Sequence, residues 1–149
     1  MFTILCLSDS DKHFSSAVNE YSKRLSKDCS IISLIPAQAN TREECVALDT
    51  QQIIDYLHQQ GSRYDSITLV SLHAPSQTTE SRVETFPISQ RHLFIIGWPF
   101  GLDEEKLKSV SIQLLGLGAH TMNHCLAKLV LLEQIYRITM INADKQYHY

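Results

Sequence analysis

The feature that most constrains the fold is the alternation of short apolar runs with segments of helical periodicity. Two of the runs, Phe2 to Leu7 (FTILCL) and His92 to Ile96 (HLFII), are apolar almost throughout, without alternating polar residues. Strands that are buried on both faces have this composition, and they occur in parallel sheets. The sequence therefore predicts an α/β fold, with a mainly parallel sheet and helices on both faces.

The elements follow one another without a linker or a repeat, so we predict a single domain over residues 1–149. The predicted strands are Phe2 to Leu7, Ile31 to Ile35, Ser66 to Leu72, His92 to Ile96 and Ser111 to Leu117. The predicted helices are Phe14 to Leu25, Glu43 to Gln60, Asp103 to Val110 and about His124 to Ile141. The polar stretch Ser76 to Glu84 is expected to be a mobile loop or a short helix.

The composition narrows the class of protein. The net charge is −3 with His neutral, which gives no support to RNA binding, because phosphate contacts favour a basic surface. The four cysteines are not spaced as a metal knuckle or a redox pair, and this indicates reduced thiols. Met1 to Leu7 does not resemble a signal peptide, and no apolar stretch is long enough to cross a bilayer. We expect a cytoplasmic protein without a membrane partner.

The last predicted helix is apolar around nearly its whole circumference, from Leu126 to Ile141. A helix of this kind must be buried on more than one side. One side can pack on the sheet of its own subunit, and a symmetric dimer contact is the simplest cover for the other. The alternative is a central helix inside a monomer.

Glycines are concentrated where two predicted strands end: Gly97 and Gly101 follow the fourth strand, and Gly116 and Gly118 are placed at the end of the fifth. Open parallel sheets bind ligands beyond the carboxyl ends of their strands, and glycine permits close backbone approach to a ligand. The alternative is that these glycines only turn the chain. Their spacing matches neither the dinucleotide-binding motif nor the P-loop, so a nicotinamide cofactor or a nucleoside triphosphate is not predicted.

Other catalytic and metal-binding patterns are weak. His120 and His124 have a spacing that suits zinc on a helix, but Thr121 to Asn123 indicates a turn, and no metal is predicted. No motif supports a serine or cysteine nucleophile. The tail Tyr147-His148-Tyr149 is unusually aromatic, which indicates either docking on another surface or a loosely held terminus.

Several segments together resemble the ribosomal RNA large subunit methyltransferase H family. The first is Leu93 to Gly97, followed by Pro99, Gly101 and Leu102. The second includes Thr121, His124, Leu126, Glu133, Gln134, Tyr136 and Arg137. The closing Tyr147-His148 also matches, and weaker similarity reaches Glu20 to Leu25 and Thr68-Leu69. The resemblance spans nearly the full chain.

The resemblance implies a SPOUT fold with a deep C-terminal trefoil knot, S-adenosylmethionine as cofactor, and an active site that spans a homodimer interface. The implied activity is methylation of N3 of a pseudouridine in large-subunit ribosomal RNA. The implied cofactor-binding residues are Leu69, Gly97, Leu117, Gly118, Ala119, His120, Thr121 and Met122. Tyr147 and His148 would reach the methyl-transfer centre of a partner subunit, and His148 is our candidate for the base that takes the N3 proton.

The sequence departs from the family pattern at several positions of this region. Trp98 replaces a glycine and Phe100 replaces a polar residue, so the indole either covers the cofactor or fills its slot. The other departures are Val70 for Asp, Asn123 and Cys125 for proline, Lys128 for Arg, and Tyr149 for a basic residue. Two alternatives therefore stay open: an inactive homologue that binds the cofactor or the ribosome, and a knotted methyltransferase for another substrate.

Overall fold

The computed structural model describes residues 1–8, 13–74, 86–118, 120–145 and 147. The strands in this part of the chain are β1 (Phe2–Leu7), β2 (Cys29–Leu34), β3 (Ser66–Val70), β4 (His92–Ile96) and β5 (Gln113–Leu115). The α-helices are α1 (Ser15–Arg24), α2 (Arg42–Gln60), α3 (Glu104–Lys108) and α4 (His124–Asn142). The predicted loop or short helix from Ser76 to Glu84 lies outside the described residues.

The strands form one sheet in the order β2-β1-β4-β3-β5, and every neighbouring pair is parallel. The predicted parallel sheet is thus confirmed. Since all five strands run the same way, their carboxyl ends lie at one edge of the sheet and their amino ends at the other. The segments that follow β3, β4 and β5 therefore begin at the same edge, where such folds bind ligands.

Helices cover both faces of the sheet, as the continuous apolar runs predict. Along β4, Leu93 and Ile95 belong to a buried cluster with Ile53 of α2 and Leu107 of α3. The alternate residue Phe94 belongs to a second cluster, whose helical members come mainly from α4. The period of two between successive strand side chains explains why one apolar run supplies both clusters.

The predicted fifth strand is longer than the observed one. The ladder between β3 and β5 joins only Thr68–Val70 to Gln113–Leu115. Ser111 has a φ of 61°, a left-handed conformation that cannot belong to a strand, and it ends the turn after α3. The apolar pattern from Ser111 to Leu117 overestimates the strand because apolar residues outside it are buried for other reasons, as Ile112 is.

Polar groups at the amino-end edge of the sheet are paired with one another. The Met1 ammonium donates to the carbonyl oxygens of Ile88 at 3.0 Å and Gln90 at 2.6 Å. His92 is only 1% exposed, with Nδ1 2.6 Å from Ser66 Oγ and Nε2 2.8 Å from the Pro87 carbonyl oxygen. A carbonyl only accepts, so Nε2 carries the proton, and burial lowers the pKa of His92.

Helix α4 packs on the sheet through Leu131, Leu132, Ile135 and Ile138, which are all buried. It also contacts α1, where the rings of Tyr21 and Tyr136 meet edge to face at 5.8 Å. The other side of the helix carries apolar residues that are only half-buried, namely Leu126, Leu129, Val130 and Met140. Ile141 follows on the same helix and is 49% exposed. The helix is therefore apolar on a side that its own subunit covers only partly.

Candidate functional site

A cleft of about 830 Å³ opens at the carboxyl-end edge of the sheet. Three segments form its walls: residues 69–73 at the end of β3, residues 96–102 after β4, and the segment after β5 up to His124. The start of α3 and Ala127 of α4 complete the lining. Its volume lies within the range of about 300–1,000 Å³ that is typical of pockets for small molecules and cofactors.

The wall after β4 combines a tight turn with large side chains. The Gly101 N–H donates to the Trp98 carbonyl oxygen at 2.8 Å, and Gly101 has a φ of 81°, which favours glycine. The Trp98 ring packs on the buried cluster beneath it and lies 4.7 Å from the His124 ring. The cleft remains open beside the indole, so Trp98 forms part of its wall and does not fill it.

The wall after β5 includes open backbone at Gly118. Gly118 has a φ of 122°, and a Cβ placed there would meet no atom within 4 Å. His120 and Thr121 are exposed, and Asn123 ends the segment as the N-cap of α4. The Asn123 side chain accepts a hydrogen bond from the Cys125 N–H at 2.8 Å, so the entry into α4 is capped although the prolines of the family pattern are missing.

Two side chains that are far apart in sequence meet at the end of β3. The Ser71 hydroxyl donates to Glu104 Oε1 at 2.5 Å, across 33 positions of the chain. Ser71 Oγ also accepts from the His73 N–H at 2.9 Å, and His73 Nδ1 lies 3.2 Å from the same Glu104 oxygen. These contacts join the start of α3 to the carboxyl end of β3.

Seven of the eight predicted cofactor-binding residues line this one cleft: Leu69, Gly97, Leu117, Gly118, His120, Thr121 and Met122. Ala119 lies outside the described residues. The structure thus brings together residues from three segments that are separated by up to 53 positions. That these residues bind a cofactor stays a prediction. Such binding requires them to lie around one cleft, as they do.

Tyr147, one of the two predicted catalytic residues, does not line the cleft of its own subunit. Tyr147 folds back on α4, where its hydroxyl donates to Glu133 Oε1 at 3.0 Å and its ring meets Tyr136 edge to face at 5.4 Å. Glu133 comes nine residues after His124, which corresponds to about 14 Å along a helix. His148 lies outside the described residues, so its role stays a prediction, as does that of Tyr147.

Sequence reasoning missed several polar residues of the cleft, among them Arg42, Ser71 and Glu104. Arg42 lies at the mouth, with its guanidinium carbon 5.9 Å from the centre of the Phe100 ring. The acidic run from Asp103 to Glu105 is typical of a helix N-terminus, so by itself it does not indicate a ligand. Among the described residues, no group of three potential ligands could hold a metal ion, and no helix is long and apolar enough to span a membrane.

Comparisons with solved structures agree with this architecture. A putative methyltransferase from Legionella pneumophila, solved in complex with S-adenosylmethionine, superposes with a TM-score of 0.54. The two sequences are 19% identical, and the match covers 92% of this chain and 66% of that one. Ribosomal RNA small subunit methyltransferase E from Neisseria gonorrhoeae, bound to S-adenosylmethionine, gives 0.53 at 14% identity over 95% and 65%. At these identities, the matches show the fold alone.

Closer relatives are found by sequence. Ribosomal RNA large subunit methyltransferase H from Dictyoglomus thermophilum is 34% identical over 137 residues, which are 90% of this chain and 89% of the relative. The enzyme of the same name from Streptococcus agalactiae is 32% identical, over 93% and 92%. A family model described as "Predicted SPOUT methyltransferase" matches residues 1–148. On this match over nearly its whole length, the chain belongs to the SPOUT methyltransferase family.

Proposed function

We propose that the protein is an S-adenosylmethionine-dependent methyltransferase of large-subunit ribosomal RNA, with N3 of a pseudouridine as the acceptor. The observation that carries this proposal is the single cleft lined by the seven described residues that the family resemblance assigns to the cofactor. The relatives named ribosomal RNA large subunit methyltransferase H cover about nine tenths of the chain, which supports the same substrate. This substrate would place the protein in the cytoplasm.

The cleft fits S-adenosylmethionine in size and lining. Leu69, Leu117 and Met122 supply apolar surface for an adenine ring, and Gly97 and Gly118 let the main chain approach the ligand closely. The bound cofactor supplies a methyl group that is already activated on a sulfonium. The chain itself must therefore align the acceptor, exclude water and remove one proton from the N3 position.

The proton acceptor in this proposal comes from a second copy of the chain. Tyr147 lies against the middle of its own α4, some distance from the cleft beside the start of that helix. Across a two-fold axis, His148 of the partner subunit would take the N3 proton, with Tyr147 of the partner subunit beside it. A histidine that titrates near pH 6.5 is a suitable base at neutral pH.

The homodimer has its own support in α4. The half-buried side of this helix is apolar and includes Leu126, Leu129 and Val130. Ile141 continues this apolar side and is exposed to solvent. An apolar helix face that its own subunit covers only partly is what an obligate dimer buries. The deep trefoil knot belongs to the same proposal, since S-adenosylmethionine would bind at the knotted segments.

Binding of the cofactor is the first test. Trp98 is the only tryptophan of the chain and lies in the wall of the cleft, so its fluorescence should change on titration with S-adenosylmethionine. Isothermal titration calorimetry should give the same affinity. No heat and no fluorescence change at millimolar cofactor would contradict the proposal and favour a fold without cofactor binding.

The acceptor is tested separately. Ribosomes from a strain that lacks the gene should gain one methylpseudouridine per large-subunit RNA when they are incubated with the protein and S-adenosylmethionine, measured by mass spectrometry of nucleosides. His148→Ala should keep the cofactor affinity and lose this transfer. Methylation elsewhere would indicate another substrate, and unchanged transfer by His148→Ala would remove His148 from the mechanism.

A further inference from the structure

We propose that Glu104 binds the α-ammonium group of S-adenosylmethionine, so that this carboxylate recognises the amino-acid end of the cofactor. The inference rests on the proposed function, because it needs the cofactor in this cleft. Glu104 was not among the residues that the sequence assigned to the cofactor, and it stands in the first turn of α3, in the lining of the cleft.

The position of the Glu104 carboxylate is fixed by residues from another wall. Its Oε1 accepts from the Ser71 hydroxyl at 2.5 Å and lies 3.2 Å from His73 Nδ1. Ser71 is itself 7% exposed, and the side chain of Glu104 is 20% exposed. A carboxylate that is held in this way loses little conformational entropy when it binds a ligand, which favours a specific contact.

The neighbouring charged groups have other contacts. Lys108 pairs with Glu105 at 2.6 Å, and Asp103 accepts a hydrogen bond from the Lys106 N–H at 3.0 Å. The contacts of Glu104 with Ser71 and His73 both use Oε1, and within the described part of the chain Oε2 has no hydrogen-bond partner. The carboxylate is therefore largely buried in the wall of the cleft while one oxygen remains available to a cation.

S-adenosylmethionine carries two cationic groups, the sulfonium and the α-ammonium, and only the second suits a carboxylate. The positive charge on sulfur disappears during methyl transfer, so a carboxylate beside it would stabilise the reactant more than the transition state and slow the reaction. The ammonium keeps its charge throughout and has N–H groups to donate. A charge-assisted hydrogen bond to Glu104 would therefore add cofactor affinity without raising the barrier.

Three ligands separate these possibilities in calorimetry. S-adenosylmethionine has both cations, S-adenosylhomocysteine has only the ammonium, and 5′-methylthioadenosine has neither. Glu104→Gln keeps the size of the side chain and removes its charge. This substitution should weaken the binding of S-adenosylmethionine and of S-adenosylhomocysteine by about tenfold each, since hydrogen bonds to charged groups contribute about 1.5–3 kcal/mol. The affinity for 5′-methylthioadenosine should not change.

Glu43→Gln is the matched control, because it removes the same charge from an exposed residue in the first turn of α2, and Glu43 does not line the cleft. It should leave all three affinities within about twofold. A loss confined to S-adenosylmethionine would assign Glu104 to the sulfonium and overturn the inference. Equal losses for all three ligands, or no loss at all, would also overturn it. If the unaltered protein binds none of the three, the proposed function fails first.

Discussion

The two edges of the sheet are built differently. At the amino-end edge, the ammonium of Met1 and both ring nitrogens of His92 have partners within the chain. At the carboxyl-end edge, Gly118 presents open backbone at positive φ, and Trp98 and Phe100 are only partly covered. Paired and buried polar groups stabilise the fold, whereas a cleft with uncovered backbone is available to a ligand. Stability and ligand binding should therefore respond to changes at different edges.

The largest effect on stability is expected for His92→Ala. The ring packs against Phe2 at 5.3 Å and Phe86 at 5.0 Å, and its loss would also leave the Ser66 hydroxyl and the Pro87 carbonyl without this partner. The free energy of unfolding should fall by about 3 kcal/mol, measured by urea denaturation. Cofactor affinity of the folded fraction should not change, and a parallel loss of affinity would show that the edges are coupled.

The largest effect on binding is expected for Gly118→Ala. At a φ of 122° an L-residue is strained by about 1–3 kcal/mol, so the loop should leave its binding conformation. The affinity for S-adenosylmethionine, measured by Trp98 fluorescence, should fall by about tenfold, with little change in Tm. Gly116→Ala is the control, because its Cβ would lie 3.5 Å from the Ala74 Cβ, an ordinary contact. An equal loss in both variants would contradict this explanation.

A smaller effect is expected for Gly97→Ala, at the base of the other wall. The added Cβ would lie 3.2 Å from Leu102 Cγ, closer than most real contacts, so Leu102 must move. Overpacking of this kind should reduce the free energy of unfolding by about 1 kcal/mol. In a double-mutant cycle with Leu102→Ala, the combined loss should be smaller than the sum of the single losses. Additive losses would show that the two positions do not interact.

The smallest effect concerns pH. Burial lowers the pKa of His92 in the folded chain below the ordinary value of 6.5, so the unfolded chain takes up this proton at a higher pH. The contribution of neutral His92 to the free energy of unfolding is complete above pH 6.5. It is lost progressively as the pH falls from 6.5 through the lower pKa of the folded chain. In urea titrations, the free energy of unfolding of the wild type should therefore fall relative to that of His92→Phe between pH 7.5 and pH 5. A constant difference would show that His92 does not titrate as proposed.

The sequence predicts the parts of this molecule that depend on local pattern. Phe2 to Leu7 and His92 to Ile96 are strands at the predicted bounds because continuous apolar runs reflect burial on both faces. The cleft residues were found through the resemblance, which depends on segments such as Leu93 to Gly97. The contact between Ser71 and Glu104 could not be predicted, because it joins positions 33 apart through the register of β3 and the loop before α3. Whether Trp98 fills the slot also depended on packing that the sequence does not specify.

The position of Tyr147 on its own α4 has a genetic consequence under the proposed dimer. Each reaction centre would combine the cleft of one polypeptide with the tail of the other. Two defective alleles, one with Gly118→Ala and one with His148→Ala, should then complement each other when they are expressed together. In a mixed assembly, one centre inherits both lesions and the other inherits neither, so about half of the maximal turnover of that assembly should return.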